Sequence, residues 1–275
     1  MKRLKVYAYT KGTGSGHLTR INAVYKGFKR ARIACDFYVS AHRSKYLEFL
    51  EPGIKLCKKG EFPRGVDIFI CDWRSDSFVD SLPKRLAKTW IGLRRLGTMK
   101  VTFPSYFHVI AIEPGVKGDA TIWPVISTWP DELVTRSRLR KIVGTRAKKK
   151  IALLCENGAY PKHVDRVFDK KIPKAYLRVK ISNSPFAEGK RDLSYYPAAR
   201  LFKAADYHVI GGGYNSLHEA LSYADKSKIS IINVGGDDQA LRIKKSAQWE
   251  RGRGSQAHVL AQYIVGLHRS NKRIN

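Results

Sequence analysis

The stretch Ala205-Asp206-Tyr207-His208-Val209-Ile210-Gly211-Gly212-Gly213-Tyr214-Asn215-Ser216-Leu217-His218-Glu219-Ala220 decides the fold. Tyr207–Ile210 is a short run of aromatic and β-branched residues that reads as a strand, and Ser216–Tyr223 has helical spacing. The three glycines between them let the chain turn tightly and approach a ligand closely. A strand that passes through glycines directly into a helix is the opening of a βαβ unit, whose strands lie parallel. Two readings of Glu219 stay open. With Asn215 or Ser216 as N-cap it completes a capping box. The same geometry also offers backbone N–H groups to a diphosphate and a carboxylate to a ribose.

A second stretch of this kind opens the chain. Leu4–Tyr9 reads as a strand, followed by Thr10-Lys11-Gly12-Thr13-Gly14-Ser15-Gly16-His17-Leu18-Thr19-Arg20 and a helix over Leu18–Arg30. No Gly-Lys-Ser/Thr follows, which excludes a Walker loop. The G-x-G-x-G spacing, and a second strand ending in Ser40-Ala41-His42-Arg43 without an acid, fit a nicotinamide fingerprint poorly. His17, directly after Gly16, sits where a helix dipole disfavours the cationic ring. That makes it a neutral base near pH 7, suited to deprotonating a hydroxyl; packing or capping of the turn is the alternative.

Between and beyond these loops, apolar runs alternate with helical periodicity. Ile33–Val39, Val66–Cys71, Lys88–Leu93 and His108–Ile112 read as further strands of a first domain, with helices expected at Lys45–Leu50 and Phe78–Ala87. Lys150–Cys155, Ala175–Ile181 and Ile229–Val234 read as strands of a second domain. Its helices are expected at Pro161–Asp169, Pro197–Ala204, Ser216–Tyr223 and Asp238–Trp249, and a final helix near Gln256–His268. The expected architecture is α/β, with two Rossmann-like domains facing a cleft. Residues 1–144 form the first, residues 145–255 the second, and residues 256–275 a helix packing back on the first. Asn233-Val234-Gly235-Gly236-Asp237-Asp238-Gln239 puts an amide and a carboxylate just past another strand. Ligands of such sheets bind there, beyond the carboxyl ends.

The 275 residues carry 52 Lys and Arg against 23 Asp and Glu, a formal charge of +29. With 43% hydrophobic residues the chain is no disordered polycation. The excess is fifteen over residues 1–145 and fourteen over 146–275, so it belongs to both halves. No apolar run is long enough to span a membrane, and Met1-Lys2-Arg3-Leu4-Lys5 enters a strand pattern without an export signal. Cys35, Cys57, Cys71 and Cys155 are scattered without C-x-x-C pairing. They suggest buried thiols in a reducing, cytoplasmic setting, the host's cytoplasm for a viral protein.

Taken together, the Gly12–His17 loop, Ser194-Tyr195-Tyr196-Pro197-Ala198-Ala199-Arg200 leading to Ala205-Asp206, the G-G-Y-N-S-x-x-E turn, and Asp237-Asp238-Gln239 followed by Ala240 and Arg242 resemble the GT-B glycosyltransferases. The resemblance is to the lipid-linked N-acetylglucosaminyltransferase of peptidoglycan synthesis and its relatives, compact viral ones included. It covers both domains in the same order. It implies an enzyme, a hexosyl-type transferase with a nucleotide sugar, UDP-linked, as donor and no metal required. Gly14 and Gly16 would belong to the first loop. Gly212, Gly213, Tyr214, Asn215 and Ser216 would face the diphosphate, Glu219 the ribose, and Asp238 and Gln239 the sugar hydroxyls, with His17 as the base or the oxyanion-side group. The chain is shorter than the family usually needs, which implies fewer peripheral elements on the acceptor side.

Asp72 and Glu113 each follow a first-domain strand and are the alternatives to His17 as base; each can instead cap the next element. Asp72-Trp73-Arg74-Ser75-Asp76 has the wrong spacing for a D-x-D metal motif. One nucleotide sugar needs little of the +29 charge, so the acceptor side is expected to be polyanionic. The first expectation is DNA with a hydroxymethylated base flipped from the stack, helped by basic stretches with interleaved aromatics such as Trp90–Arg95. A lipid-linked acceptor at a peripheral, anionic membrane surface is the second. A nucleotide-sugar epimerase and a non-catalytic nucleic-acid-binding protein remain the rivals from other classes.

Overall fold

The computed structural model describes the chain except residues 1–2, 11–14, 42–46, 59–60, 73–78, 80, 99–101, 147, 157–167, 183–191, 236–237, 250–253 and 275. It divides into two compact units, Met1–Ser127 with Ser255–Asn275, and Thr128–Gly254.

The first unit is a seven-stranded parallel sheet. Its strands are β1 (Leu4–Thr10), β2 (Cys35–Ala41), β3 (Ile54–Cys57), β4 (Val66–Cys71), β5 (Ala87–Arg94), β6 (Phe107–Ala111) and β7 (Ala120–Thr121), in the order β3-β2-β1-β4-β5-β6-β7. Val6–Thr10 and all of β4 are buried residue after residue, as central parallel strands covered on both faces must be. Helix α1 (Ser15–Arg30) crosses from β1 to β2. It is buried from Leu18 to Phe28, between the sheet on one side and helix α5 (Ala257–Ile274) on the other. Gly27 makes that second contact possible: a Cβ there would collide with the backbone carbonyl of Ala257. The polar side chains this burial traps are satisfied. Asn22 Nδ2 donates to Phe49 O at 2.7 Å, Asn22 Oδ1 accepts from Glu51 N at 3.0 Å, and Lys26 Nζ donates to Ser127 O at 2.6 Å. Beneath the sheet, Tyr7, Phe69, Trp90 and Phe107 form a largely aromatic core, with Phe69 and Trp90 centroids 4.6 Å apart.

The second unit is a five-stranded parallel sheet of β8 (Ile151–Glu156), β9 (Leu177–Ser182), β10 (Asp192–Ser194), β11 (Tyr207–Gly211) and β12 (Ile229–Ile232), in the order β10-β9-β8-β11-β12. Helices α2 (Arg136–Ile142), α3 (Tyr214–Tyr223) and α4 (Gln239–Ser246) accompany it, and Ala152, Leu154, Phe168, Val209 and Ile232 fill its core. The α/β class with parallel sheets therefore holds for both units. In each, the chain lays down three strands in one direction and then returns to the other side of the first, so the order reverses between β1 and β4 and between β8 and β11. Such a reversal leaves a crevice at the strands' carboxyl ends, because the connecting segments depart to opposite sides.

Local readings differ from the structure at several places. The strand Ile54–Cys57 was not expected, since Lys55 interrupts its short apolar run and it lies at the sheet edge. Helices expected over Lys45–Leu50 and Pro197–Ala204 are 3-10 turns at Leu47–Phe49 and Ala198–Ala204. The described end of Phe78–Ala87 is a turn at Lys84–Leu86 entering β5. Most of the helix expected at Pro161–Asp169 lies outside the described residues. Among the described residues no helix is long and apolar enough to cross a membrane.

Candidate functional site

Both glycine loops end at the carboxyl edge of their own sheet, each at a reversal point. In the first unit, β1 and β4 are neighbours, with Tyr9 paired to Cys71 and Asp72 N donating to Tyr9 O at 3.0 Å. The residues that follow these two strands must therefore meet. His17, in the first turn of α1, points its Nδ1 at Asp72 Oδ2, 3.2 Å away. One turn along the helix, Arg20 donates through Nε to Asp72 Oδ1 and Oδ2 at 3.2 and 3.1 Å, and its Nη2 stands 3.0 Å from His17 Nδ1.

Burial sets the electrostatics. Asp72 and Arg20 are 1% and 3% exposed. Burial alone would push the Asp72 carboxyl up; the Arg20 guanidinium, the His17 hydrogen bond and Arg95 outweigh it and hold the group far below the usual carboxylate range. His17 moves the other way. Burial lowers its pKa first, Arg20 and Arg95 lower it further, and the pull of Asp72 does not restore it. A charged carboxylate thus stands beside a neutral imidazole. In the tautomer that donates Nδ1–H to Asp72 Oδ2, the Nε2 lone pair is left for a reacting proton, and Arg20, which can only donate, directs Nη2 to Asp72 Oδ2 at 3.1 Å instead of to the ring.

Of the residues expected at this end, the structure brings His17 and Asp72 together as one device instead of as alternatives. Glu113 is 0% exposed just past β6, and its Oε2 accepts the Leu96 amide at 2.9 Å. Gly16 lies in the first turn of α1; Gly14 lies outside the described residues. Arg20 was missed. Its signal was available in the spacing, since positions three apart share a helix face.

In the second unit, Gly211 closes β11 and α3 begins at Tyr214 with Gly213 as N-cap. The capping-box reading of Glu219 is thereby overturned: the N-cap precedes Tyr214, so Ser216 occupies the third helical position and Glu219 lies a turn deeper. Gly213 has no side chain to accept the first-turn amides of Tyr214, Asn215 and Ser216, which is the arrangement of an anion-binding helix start. Glu219, 6% exposed, accepts a hydrogen bond from Thr128 Oγ1 at 3.3 Å. The Tyr223 hydroxyl donates to Thr128 O, which ties the segment entering this unit to the same helix face.

Asp238 and Gln239 stand beside this turn. Asp238 Oδ2 accepts from Arg242 Nη2 at 2.8 Å, and Arg242 Nη1 donates to Gly212 O at 3.1 Å, so a 1% exposed arginine locks the start of α4 onto the glycine turn. Gln239 Oε1 accepts from Val234 N at 3.3 Å. The turn packs closely on α4: a Cβ at Gly212 would press on the end of the Ile243 side chain at 2.8 Å and make it shift. Behind α3, His218 and Trp249 stack with centroids 5.0 Å apart and planes at 10°. Thr128, Tyr223 and Trp249 were missed as site neighbours; Arg242, four residues after Asp238, was named with the resemblance but given no role. Among the described residues no group of three or more His, Cys, Asp and Glu could hold a metal ion.

No protein-family model matches the chain, and no curated protein matches it either. Solved structures do. Anabaena HepE in complex with UDP-glucose is similar at 13% identity, over 99% of both chains, with a TM-score of 0.48. The same protein in complex with UDP and glucose gives 12%, 99% of both and 0.47. E. coli ADP-heptose LPS heptosyltransferase II gives 11%, 98% of this chain, 100% of that one and 0.43.

Proposed function

We propose that the chain is a glycosyltransferase of GT-B type that moves a sugar from a nucleotide diphosphate sugar, UDP-linked, to an acceptor hydroxyl. The observation that carries this reading is the buried, charged Asp72 holding a neutral His17 at the reversal point of the first sheet. The Asp72–Arg20 pair ties α1 to the end of β4, but that tie does not account for the imidazole placed beside it. General-base chemistry does.

In the proposed step His17 Nε2 takes the proton of the acceptor hydroxyl. The oxygen forms a bond to the anomeric carbon, the bond from that carbon to the diphosphate oxygen breaks, and the nucleoside diphosphate leaves with the electron pair. Asp72 stabilises the imidazolium that results. The amides at the start of α3 would meet the negative charge growing on the leaving diphosphate, and Glu219 would hold the ribose hydroxyls. Those groups supply charge stabilisation in fixed positions, so the reading calls for no metal.

For the acceptor, the +29 charge supports a polyanion, with a hydroxymethylated base in DNA as the specific case to try first. The test is release of nucleoside diphosphate from a panel of UDP- and ADP-sugars, with and without hydroxymethylated duplex DNA. Acceptor-dependent release that disappears in His17→Ala supports transfer. An altered sugar recovered still attached to the nucleotide, without any acceptor, would mean epimerisation. Binding of DNA with no turnover of any donor would sink the enzyme reading.

A further inference from the structure

The basic residues of the second unit are concentrated at the end of its sheet remote from the glycine turn. Lys148, Lys149 and Lys150 lead into β8, Lys174 into β9, Lys203 into β11, and Lys226 and Lys228 into β12. The parallel register sets these strand starts side by side, with Ile151 opposite Leu177, Ala152 opposite Tyr207 and His208 opposite Ile229. Helix α2 is tied to the same edge. Arg136 donates to Ala204 O and pairs with Asp206, and Arg140 Nη2 donates to Lys149 O at 3.2 Å.

The charge there is not neutralised locally. Residues 133–155 contain eight Lys and Arg and no acid. Arg138, Lys141, Lys148, Lys149, Lys150 and Lys174 are exposed and make no ion pair among the described residues. The acids at this edge are occupied: Asp206 by Arg136 and the Ile151 amide, Asp225 by Lys228 and Ser227. A strand of about five residues is roughly 16 Å long. That exceeds the ~8 Å Debye length at physiological salt, so these charges are screened from a diphosphate at the carboxyl edge.

We propose that this edge, formed by α2, residues 143–146 and 148–150, and the turns entering β9, β11 and β12, docks the phosphate backbone of a nucleic acid. The residue types favour that partner. At the start of α2 the exposed Arg138 stands with the exposed hydroxyl residues Thr135 and Ser137, side-chain types that bind phosphate and sugar, and Arg146 is exposed beyond the helix end. A groove of about 540 Å³, lined by Thr135, Arg136, Lys203 and Lys228, gives the surface relief. A membrane partner would want an apolar anchor, and the large exposed hydrophobic residues among those described, Leu56 and Val259, belong to the other unit. The inference rests on the polyanion part of the proposed function and is independent of the transfer chemistry. It assigns the polymer an anchoring surface separate from the donor turn.

Fluorescence anisotropy of labelled duplex and single-stranded DNA, measured against salt concentration, tests this on the full chain. Wild type should bind with a steep salt dependence. Arg138→Gln/Lys141→Gln/Lys148→Gln/Lys149→Gln should lose at least tenfold in affinity and up to about 3.6 units of log–log salt slope on duplex DNA, at roughly 0.9 for each phosphate left without its cation. It should melt like wild type and keep its affinity for UDP. The equal-charge control Lys55→Gln/Lys58→Gln/Arg64→Gln/Arg85→Gln, on exposed residues of the first unit, should lose much less. Equal losses in both variants would overturn the assignment, as would binding of phosphatidylserine vesicles without binding of either DNA. DNA binding that follows this pattern in a protein that releases no nucleoside diphosphate would leave the docking surface standing and remove the transferase.

Discussion

His17 Nδ1 and Asp72 Oδ2 lie 3.2 Å apart although 55 positions separate them in the chain. Arg20 reaches both groups from one helical turn further on, so Asp72 and Arg20 are held almost out of water while the His17 ring keeps an edge exposed.

Replacing Asp72 separates chemistry from architecture. Asp72→Asn keeps the shape but removes the anion that favours the Nδ1–H tautomer, and sugar transfer should fall about 10²–10⁴-fold. It also leaves a buried Arg20 without its counter-charge, which costs about 3–5 kcal/mol in comparable pairs. His17→Gln should show the same loss of rate with far less loss of stability, because the Asp72–Arg20 pair survives. Denaturant unfolding beside nucleoside diphosphate release checks both; equal destabilisation by the two variants would make His17 a structural residue.

The acid limb of the pH profile follows from the depressed pKa of His17. A base must be deprotonated to act, so kcat/KM should hold as pH falls through the ordinary histidine value near 6.5 and decline only below it. Asp72 supports the imidazolium, so the Asp72→Asn limb should lie further to the acid side. A limb above 6.5 in wild type contradicts a burial-dominated environment.

Glu219 should act on donor binding alone. With the N-cap at Gly213 it caps no amide of the first turn, and Glu219→Gln keeps the acceptor for Thr128 Oγ1. A charged hydrogen bond to a ribose hydroxyl contributes about 1.5–3 kcal/mol, so UDP affinity should weaken about 10- to 100-fold by calorimetry. DNA affinity should be unchanged. Unaltered UDP binding would move the ribose elsewhere.

What the sequence revealed and what it hid have one physical source. Runs such as Val66–Cys71 and Tyr207–Ile210 are legible because a central parallel strand needs apolar residues on both faces, and glycine turns are legible because few residues replace them. The His17 loop and the Gly211–Gly213 turn were found that way. The meeting of His17 with Asp72 was not, since it depends on β4 pairing with β1, a choice made by the whole sheet. Glu219 shows the converse error. Its spacing from Ser216 matched a capping box, but the helix began three residues earlier than that pattern requires, because Gly213 could end the turn without a side-chain cap. Ile54–Cys57 escaped because an edge strand with Lys55 on one face has little apolar signature.

Acid stability provides a test away from the site. His208, in β11, is 1% exposed beside the Phe202 ring, and burial holds its pKa down to about 4 against a hydrogen bond to the Phe202 backbone and the charge of Asp206, with Lys228 acting in the same direction as burial. The unfolded chain takes up that proton near 6.5, while the folded chain refuses it until about 4. Over that interval the unfolded state binds more protons, so stability must fall as pH drops from 6.5 toward 4, by on the order of 3 kcal/mol from this group. His208→Leu removes the titration and keeps an apolar side chain of similar size between the same neighbours, and the hydrogen bond to the Phe202 backbone that it gives up is an offset that does not vary with pH. The difference in unfolding free energy between variant and wild type should therefore grow in the variant's favour as pH falls through that window and level off below it. Parallel curves between pH 7 and 4 would show that His208 takes up its proton within the folded protein, which its burial in β11 forbids.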